Sequence, residues 1–132
     1  MKTILVDAWN TFVTADWVNT EMQKLLDSFP NKKVILTNAD SEKQVELWLV
    51  NVPYELFTLN FNPLKTDPKY YEIFLERYWL WIDEVTYFEH NLDAINSAKS
   101  LWINTYYYDK DKKDLVWLEK FLRNNLTLWE PD

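Results

Sequence analysis

The chain has 132 residues, 48% of them apolar and 27% charged, with a formal net charge of −7. That length suits one domain over 1–132 with its own buried core, and the composition is that of a globular chain, not a disordered one. The negative charge opposes nucleic-acid binding, no run nears the roughly 18 apolar residues of a membrane span, and the lack of cysteine excludes thiolate chemistry. The N-terminus shows no basic segment leading into an apolar stretch, so the expected location is cytoplasmic.

The first expected element is a strand, "TILVDA" (3–8), a short apolar run of strand formers ending at Asp7. "NTEMQKLLDSF" (19–29) then places Met22, Leu25, Leu26 and Phe29 at helical spacing behind Asn19 or Thr20 as cap. "KKVILT" (32–37) predicts a second buried strand, and "DSEKQVELWL" (40–49) a second helix opened by Asp40 or Ser41. A weaker strand follows in "YELFTL" (54–59). In "PKYYEIFLERY" (68–78), Pro68 suits a first helical turn, and Tyr71, Phe74, Leu75 and Tyr78 form the apolar stripe. "EVTYFE" (84–89), "NLDAINSAKSL" (91–101), "INTYYYD" (103–109) and "KKDLVWLEKFLRNN" (112–125) continue the alternation of strand and helix. The fold class implied is α/β: one doubly wound parallel sheet of about five strands with helices on both faces. Near-continuous apolar strands fit a sheet buried on both sides.

Composition holds one anomaly. At about 7% abundance some nine glycines would be expected, yet the chain has none and has eight tryptophans. Trp48, Trp79 and Trp102 each follow an amphipathic helical run and precede a new element, and Trp17 sits in a turn-like stretch before a helix. The position just past a helix favours left-handed backbone and therefore glycine, so these tryptophans are expected to stand at glycine positions. A UGA codon, read as glycine in some genetic codes and tryptophan in others, would produce the pattern; so would deliberate substitution, and the alternative to both is a family that simply uses aromatic caps.

Ligands of open α/β sheets sit outside the carboxyl ends of the strands. There the chain offers Asp7 after strand one, Thr37 and Asn38 after strand two, and Glu89, His90, Asn91 and Asp93 after strand four. Lys65, in "NPLKTDPKYY", follows strand three. Together these segments resemble the haloacid dehalogenase-like (HAD) hydrolase superfamily over most of the chain. "ILVDAWNT" is similar to its Asp-x-Asp-x-Thr strand end, "VILTNA" to its strand ending in Thr or Ser, "LKTDPKYYEIFLE" to its lysine motif, and "VTYFEHNLDAINSAKSLWINTYYYD" to its acidic fourth motif.

The resemblance implies a Rossmann-like core with Asp7 as phosphorus-attacking nucleophile and Lys65 as its catalytic partner. It implies phosphate binding by Thr37, Asn38 and Lys65, and Mg²⁺ held among Asp7, Glu89, His90 and Asp93. The implied substrate is a phosphorylated small molecule or macromolecule. Two departures stand out: Trp9 replaces the second Asp, which protonates the leaving oxygen, and Glu89-His90 replaces a pair of Asp. Only 29 residues separate Asp7 from Thr37 and 27 separate Thr37 from Lys65, which leaves no room for a cap domain. Weak or specialised phosphatase activity is the expectation; the alternative is an inactive binding or protein-interaction module on the same fold.

Overall fold

The computed structural model describes residues 1–126. Five parallel strands form one sheet in the order β3-β2-β1-β4-β5. They are β1 (Thr3–Asp7), β2 (Lys33–Thr37), β3 (Glu55–Thr58), β4 (Val85–Glu89) and β5 (Asn104–Tyr107). Between and after them run α1 (Thr20–Asp27), α2 (Ser41–Glu46), α3 (Pro68–Tyr78), α4 (Leu92–Lys99) and α5 (Leu115–Leu126), with a single 3₁₀ turn at Ile82–Glu84. No helix among the described residues is long and apolar enough to cross a membrane.

Alternation along the strands divides the core in two. Ile4, Val6, Ile35 and Phe88 face Met22 and Leu26 of α1 and Leu118 and Leu122 of α5. Leu5, Val34, Leu36, Val85 and Tyr87 face the other way, onto Tyr70, Tyr71 and Phe74 of α3 and Ala98 of α4. All five residues of β1 are buried, as a central strand covered on both faces requires. The α/β architecture, one five-stranded parallel sheet flanked by helices, is the one expected.

Each helix start has a sequence cause. Side-chain oxygens of Asn19, Asp40, Asp67 and Asn91 accept from backbone N–H groups of the first turns of α1 to α4, at 2.9–3.1 Å. These bonds satisfy donors that have no partner inside the helix. α3 spans 68–78 as expected, α5 starts three residues later than expected, and α1, α2 and α4 are shorter than the periodicity predicts; α2 ends at Glu46 and buries no side chain. On α3 the buried stripe includes Tyr70, which the expected stripe omitted, while Leu75 and Tyr78 are only half-buried.

Helix ends also follow the expectation at three of four tryptophans. Trp48 (φ 61°), Trp79 (φ 56°) and Trp102 (φ 67°) are left-handed. Trp17 is not among the positive-φ residues; its ring packs on that of Trp48, with centroids 5.0 Å apart.

The order of the strands locates the functional edge. From β1 the chain steps through β2 to β3 on one side, then returns through β4 to β5 on the other. Adjacent strands β1 and β4 therefore flank a topological switch point, with Val6 in register with Phe88. A crevice opens there at the carboxyl ends of the strands.

Candidate active site

Asp7 and Glu89 close β1 and β4 at this crevice, only 1% and 0% exposed. Buried carboxylates need compensation, since an isolated charge in the interior is prohibitively costly. Lys65 supplies it: its Nζ lies 2.6 Å from Asp7 Oδ1 and 2.7 Å from Glu89 Oε1, and also donates to the Leu36 carbonyl at 3.2 Å. Lys65 reaches this position because its backbone N–H donates to Asn38 Oδ1 at 2.7 Å, which ties its loop to the end of β2.

The second oxygen of Asp7 is crowded. Thr11, one turn beyond β1, donates its hydroxyl to Asp7 Oδ2 at 2.6 Å. The His90 backbone N–H donates to the same oxygen at 3.2 Å, and His90 Nδ1 contacts it directly. Glu89 Oε2 accepts the backbone N–H groups of His90 and Asn91 at 3.0 and 3.1 Å, while the Tyr87 hydroxyl donates to Oε1. Asp7 Oδ1 accepts from Lys65 alone among the hydrogen bonds described, whereas Oδ2 takes the rest.

The charges set each other's proton affinities. Burial raises the Asp7 pKa, but the Lys65 ammonium and hydrogen bonds from its neighbours outweigh it and hold the group well below the usual carboxylate range. For Lys65, burial pulls down while Asp7 and Glu89 push up harder, so the ammonium stays protonated. Burial and the nearby Asp7 charge raise Glu89 despite Lys65. His90 is lowered by burial, yet hydrogen bonds to Asp7 and Glu89 lift it to about 9. At neutral pH the Lys65 ammonium and the His90 imidazolium therefore face an ionised Asp7, while Glu89 holds its proton more tightly than an ordinary carboxyl group.

Above the cluster lies a cleft of about 370 Å³. Its lining brings together six of the seven expected residues: Asp7, Thr37, Asn38, Lys65, Glu89 and His90. Asp93 is apart from them. It is exposed in the first turn of α4 and lies outside the group of ligand atoms that Asp7, Glu89 and His90 place within 4.8 Å of one another. Thr37 turns its hydroxyl to accept the Ala39 N–H at 3.1 Å, and its carbonyl accepts from Tyr70 at 2.8 Å. Trp9 also lines the cleft, in the place where the family resemblance would put an acid.

Four contributors have no motif of their own. Tyr70 bridges the carbonyls of Thr37 and Phe57 at 2.8 and 3.1 Å, pinning the ends of β2 and β3. Tyr87 supports Glu89 from two residues back on the same strand. Lys43 and Phe61 add a cation and an aromatic wall to the cleft. The Tyr70 and Tyr87 signals were present as polar-tipped aromatics in apolar runs; Lys43 and Phe61 carried none.

No family model matches the chain, and no curated protein matches it in sequence. Its fold is similar to that of an uncharacterized protein from Corynebacterium glutamicum ATCC 13032 Kitasato, known from a crystal structure. The superposition covers 93% of this chain and 96% of that one, with a TM-score of 0.66 and 13% sequence identity. At that identity the likeness shows the fold alone.

Proposed function

We propose that the protein is a HAD-like, capless phosphoryl-transfer hydrolase that forms a covalent intermediate on Asp7. One observation carries this reading: the Lys65 ammonium lies between Asp7 and Glu89 at the switch point, facing Thr37 and Asn38 across a cleft. Asp7 Oδ1, the less crowded oxygen of a carboxylate with a depressed pKa, attacks phosphorus; the bond from phosphorus to the leaving oxygen breaks, and water later hydrolyses the aspartyl-phosphate. Lys65 offsets the charge gathered on Asp7 and the phosphoryl oxygens. Thr37 and Asn38 flank the phosphoryl group.

Hard oxygen donors from Asp7 and Glu89 fit Mg²⁺, with the His90 ring as a competitor for the same Asp7 oxygen. When bound, the ion would supply positive charge against the phosphoryl oxygens. Asp93 is too far from the donor group to join it.

Trp9 sets the substrate class. The indole donates no proton to a leaving alkoxide, so alkyl phosphates turn over slowly. Aryl and acyl phosphates, whose leaving oxygens depart as stable anions, are favoured. The test is Mg²⁺-dependent release of 4-nitrophenolate from 4-nitrophenyl phosphate. Activity falling to background in Asp7→Asn supports the proposal; equal rates in both proteins sink it. Beryllium fluoride with Mg²⁺ should raise the melting temperature of the parent and leave Asp7→Asn unmoved.

Trp9 also favours a second reading, a binding module that retains the pocket without turnover. Stabilisation by beryllium fluoride in a protein with no measurable hydrolysis would select it.

A further inference from the structure

Three tryptophans of this chain perform a task for which their side chain is ill suited. Trp48, Trp79 and Trp102 each stand just beyond a helix with φ near +60°. All three occupy the same position in the same hydrogen-bonded motif. The N–H of Trp48 reaches the Val45 carbonyl and that of Leu49 reaches Gln44, at 3.4 and 2.9 Å. For Trp79 and Leu80 the acceptors are Glu76 and Leu75, at 3.3 and 3.0 Å. For Trp102 and Ile103 they are Lys99 and Ala98, at 2.8 and 3.3 Å. This pair of bonds defines the Schellman helix end, whose left-handed residue is usually glycine and whose next residue is apolar. Here the apolar residue is present each time, as Leu49, Leu80 and Ile103, and only the glycine is missing.

The indoles recover little by being there. Trp79 and Trp102 are 90% and 85% exposed, and Trp48 is 40% exposed against Trp17. Left-handed backbone is adopted by only about a few per cent of non-glycine residues, with Asn, Asp and His enriched. Among the eight tryptophans of this chain, fewer than one such case is therefore expected. Of the other five positive-φ residues among those described, Asn10, Asn51 and Asn60 belong to an enriched type, and neither Phe61 nor Lys113 closes a helix in this way. Alongside this, the chain contains no glycine at all.

We infer that Trp48, Trp79 and Trp102 mark positions that carry glycine in the protein its own cell makes, each encoded by UGA read there as glycine. The apolar hollow formed by Leu75, Trp79, Leu80 and Trp81 at the end of α3 is then a product of substitution, not a docking face. The end of α2, which contributes Lys43 and Leu47 to the cleft, is likewise held by a turn built for glycine.

Two measurements test this. The coding DNA should carry UGA at all three codons; UGG at any one overturns the inference. In thermal melts of the full chain, Trp79→Gly and Trp102→Gly should each raise the melting temperature by about 3–8 °C, by relieving the left-handed penalty. Trp79→Ala and Trp102→Ala keep the Cβ and should gain much less. Alanine matching glycine at both sites would show that the loss of an exposed indole, not backbone geometry, is responsible, and would overturn the assignment.

Discussion

Replacing Lys65 by methionine is the sharpest perturbation of the site, because it removes one charge and little volume. Nζ is within 2.7 Å of oxygens on both Asp7 and Glu89, and the three side chains are 9%, 1% and 0% exposed. Removing one partner from a buried ion pair costs about 3–5 kcal/mol, since the remaining charge is left uncompensated. At about 2.1 cal/mol/K of unfolding entropy per residue, that cost lowers the melting temperature of a 132-residue chain by roughly 10–18 °C. Glu89 limits the loss. Its pKa is already raised by burial and Asp7, and without Lys65 it takes up a proton. The deficit should therefore narrow as pH falls from 7 to 5, since a carboxyl group with a raised folded pKa destabilises only where it must ionise. Lys65→Met/Glu89→Gln, with one buried charge fewer, should recover part of the loss and give a non-additive cycle. Differential scanning fluorimetry at the two pH values reads all of this. A loss below about 1 kcal/mol, the worth of an exposed pair, with no pH dependence, would refute the claim that Lys65 is a buried cation paired with the carboxyl groups of Asp7 and Glu89.

Trp9→Asp restores a proton donor at the cleft and should raise hydrolysis of an alkyl phosphate by roughly 10²–10⁴-fold, read by phosphate release; no gain would mean that position 9 does not face the leaving group. His90 gives a pH signature in metal-free buffer: with its folded pKa raised from 6.5 to about 9, its stabilising contribution is full below pH 6.5 and is lost as pH rises through 9. The nominal size is roughly 3 kcal/mol at 1.36 per pKa unit, which partial solvent screening reduces to about 1–2; His90→Asn should flatten the melting temperature over that window. Tyr70→Phe removes donation to the Thr37 and Phe57 carbonyls and should cost about 1–3 kcal/mol of stability, with a rise in KM for 4-nitrophenyl phosphate as the Thr37 loop loosens. An unchanged KM would make Tyr70 a purely structural residue.

Strand and helix alternation was legible because each element carried its own local signal: short apolar runs for strands, and for helices the apolar stripe with caps at Asn19 and Asp40 and Pro68 in a first turn. Strand order was not, because pairing is decided by packing between elements distant in sequence. Asp7, Thr37, Lys65 and Glu89 could be gathered in advance only by assuming that parallel strands end at one edge, and the sheet brings them to one cleft. Asp93 shows the limit of that assumption. It lies four residues past the end of β4, and the helix begun at Leu92 carries it into solvent. Lys43 reaches the cleft from the face of a helix that buries nothing, so no hydrophobic pattern could have predicted its direction.

Charge balance connects the fold to the chemistry. A carboxylate ending a buried central strand is tolerated only if cations from elsewhere in the chain come to it, and here they come from the loop before α3 and from the end of β4. The same arrangement that stabilises Asp7 as an anion keeps it deprotonated, the form the proposed attack would require, while Thr11 and the His90 backbone fix its second oxygen. Under the proposed function, stability and activity would therefore depend on one set of contacts, so substitutions at Lys65 should reduce both together. Trp9 lies outside that set: no hydrogen bond or ion pair ties its side chain to the four charged groups. Changing Trp9 should alter the rate at which the leaving group departs while the charge cluster, and the stability it provides, stays intact.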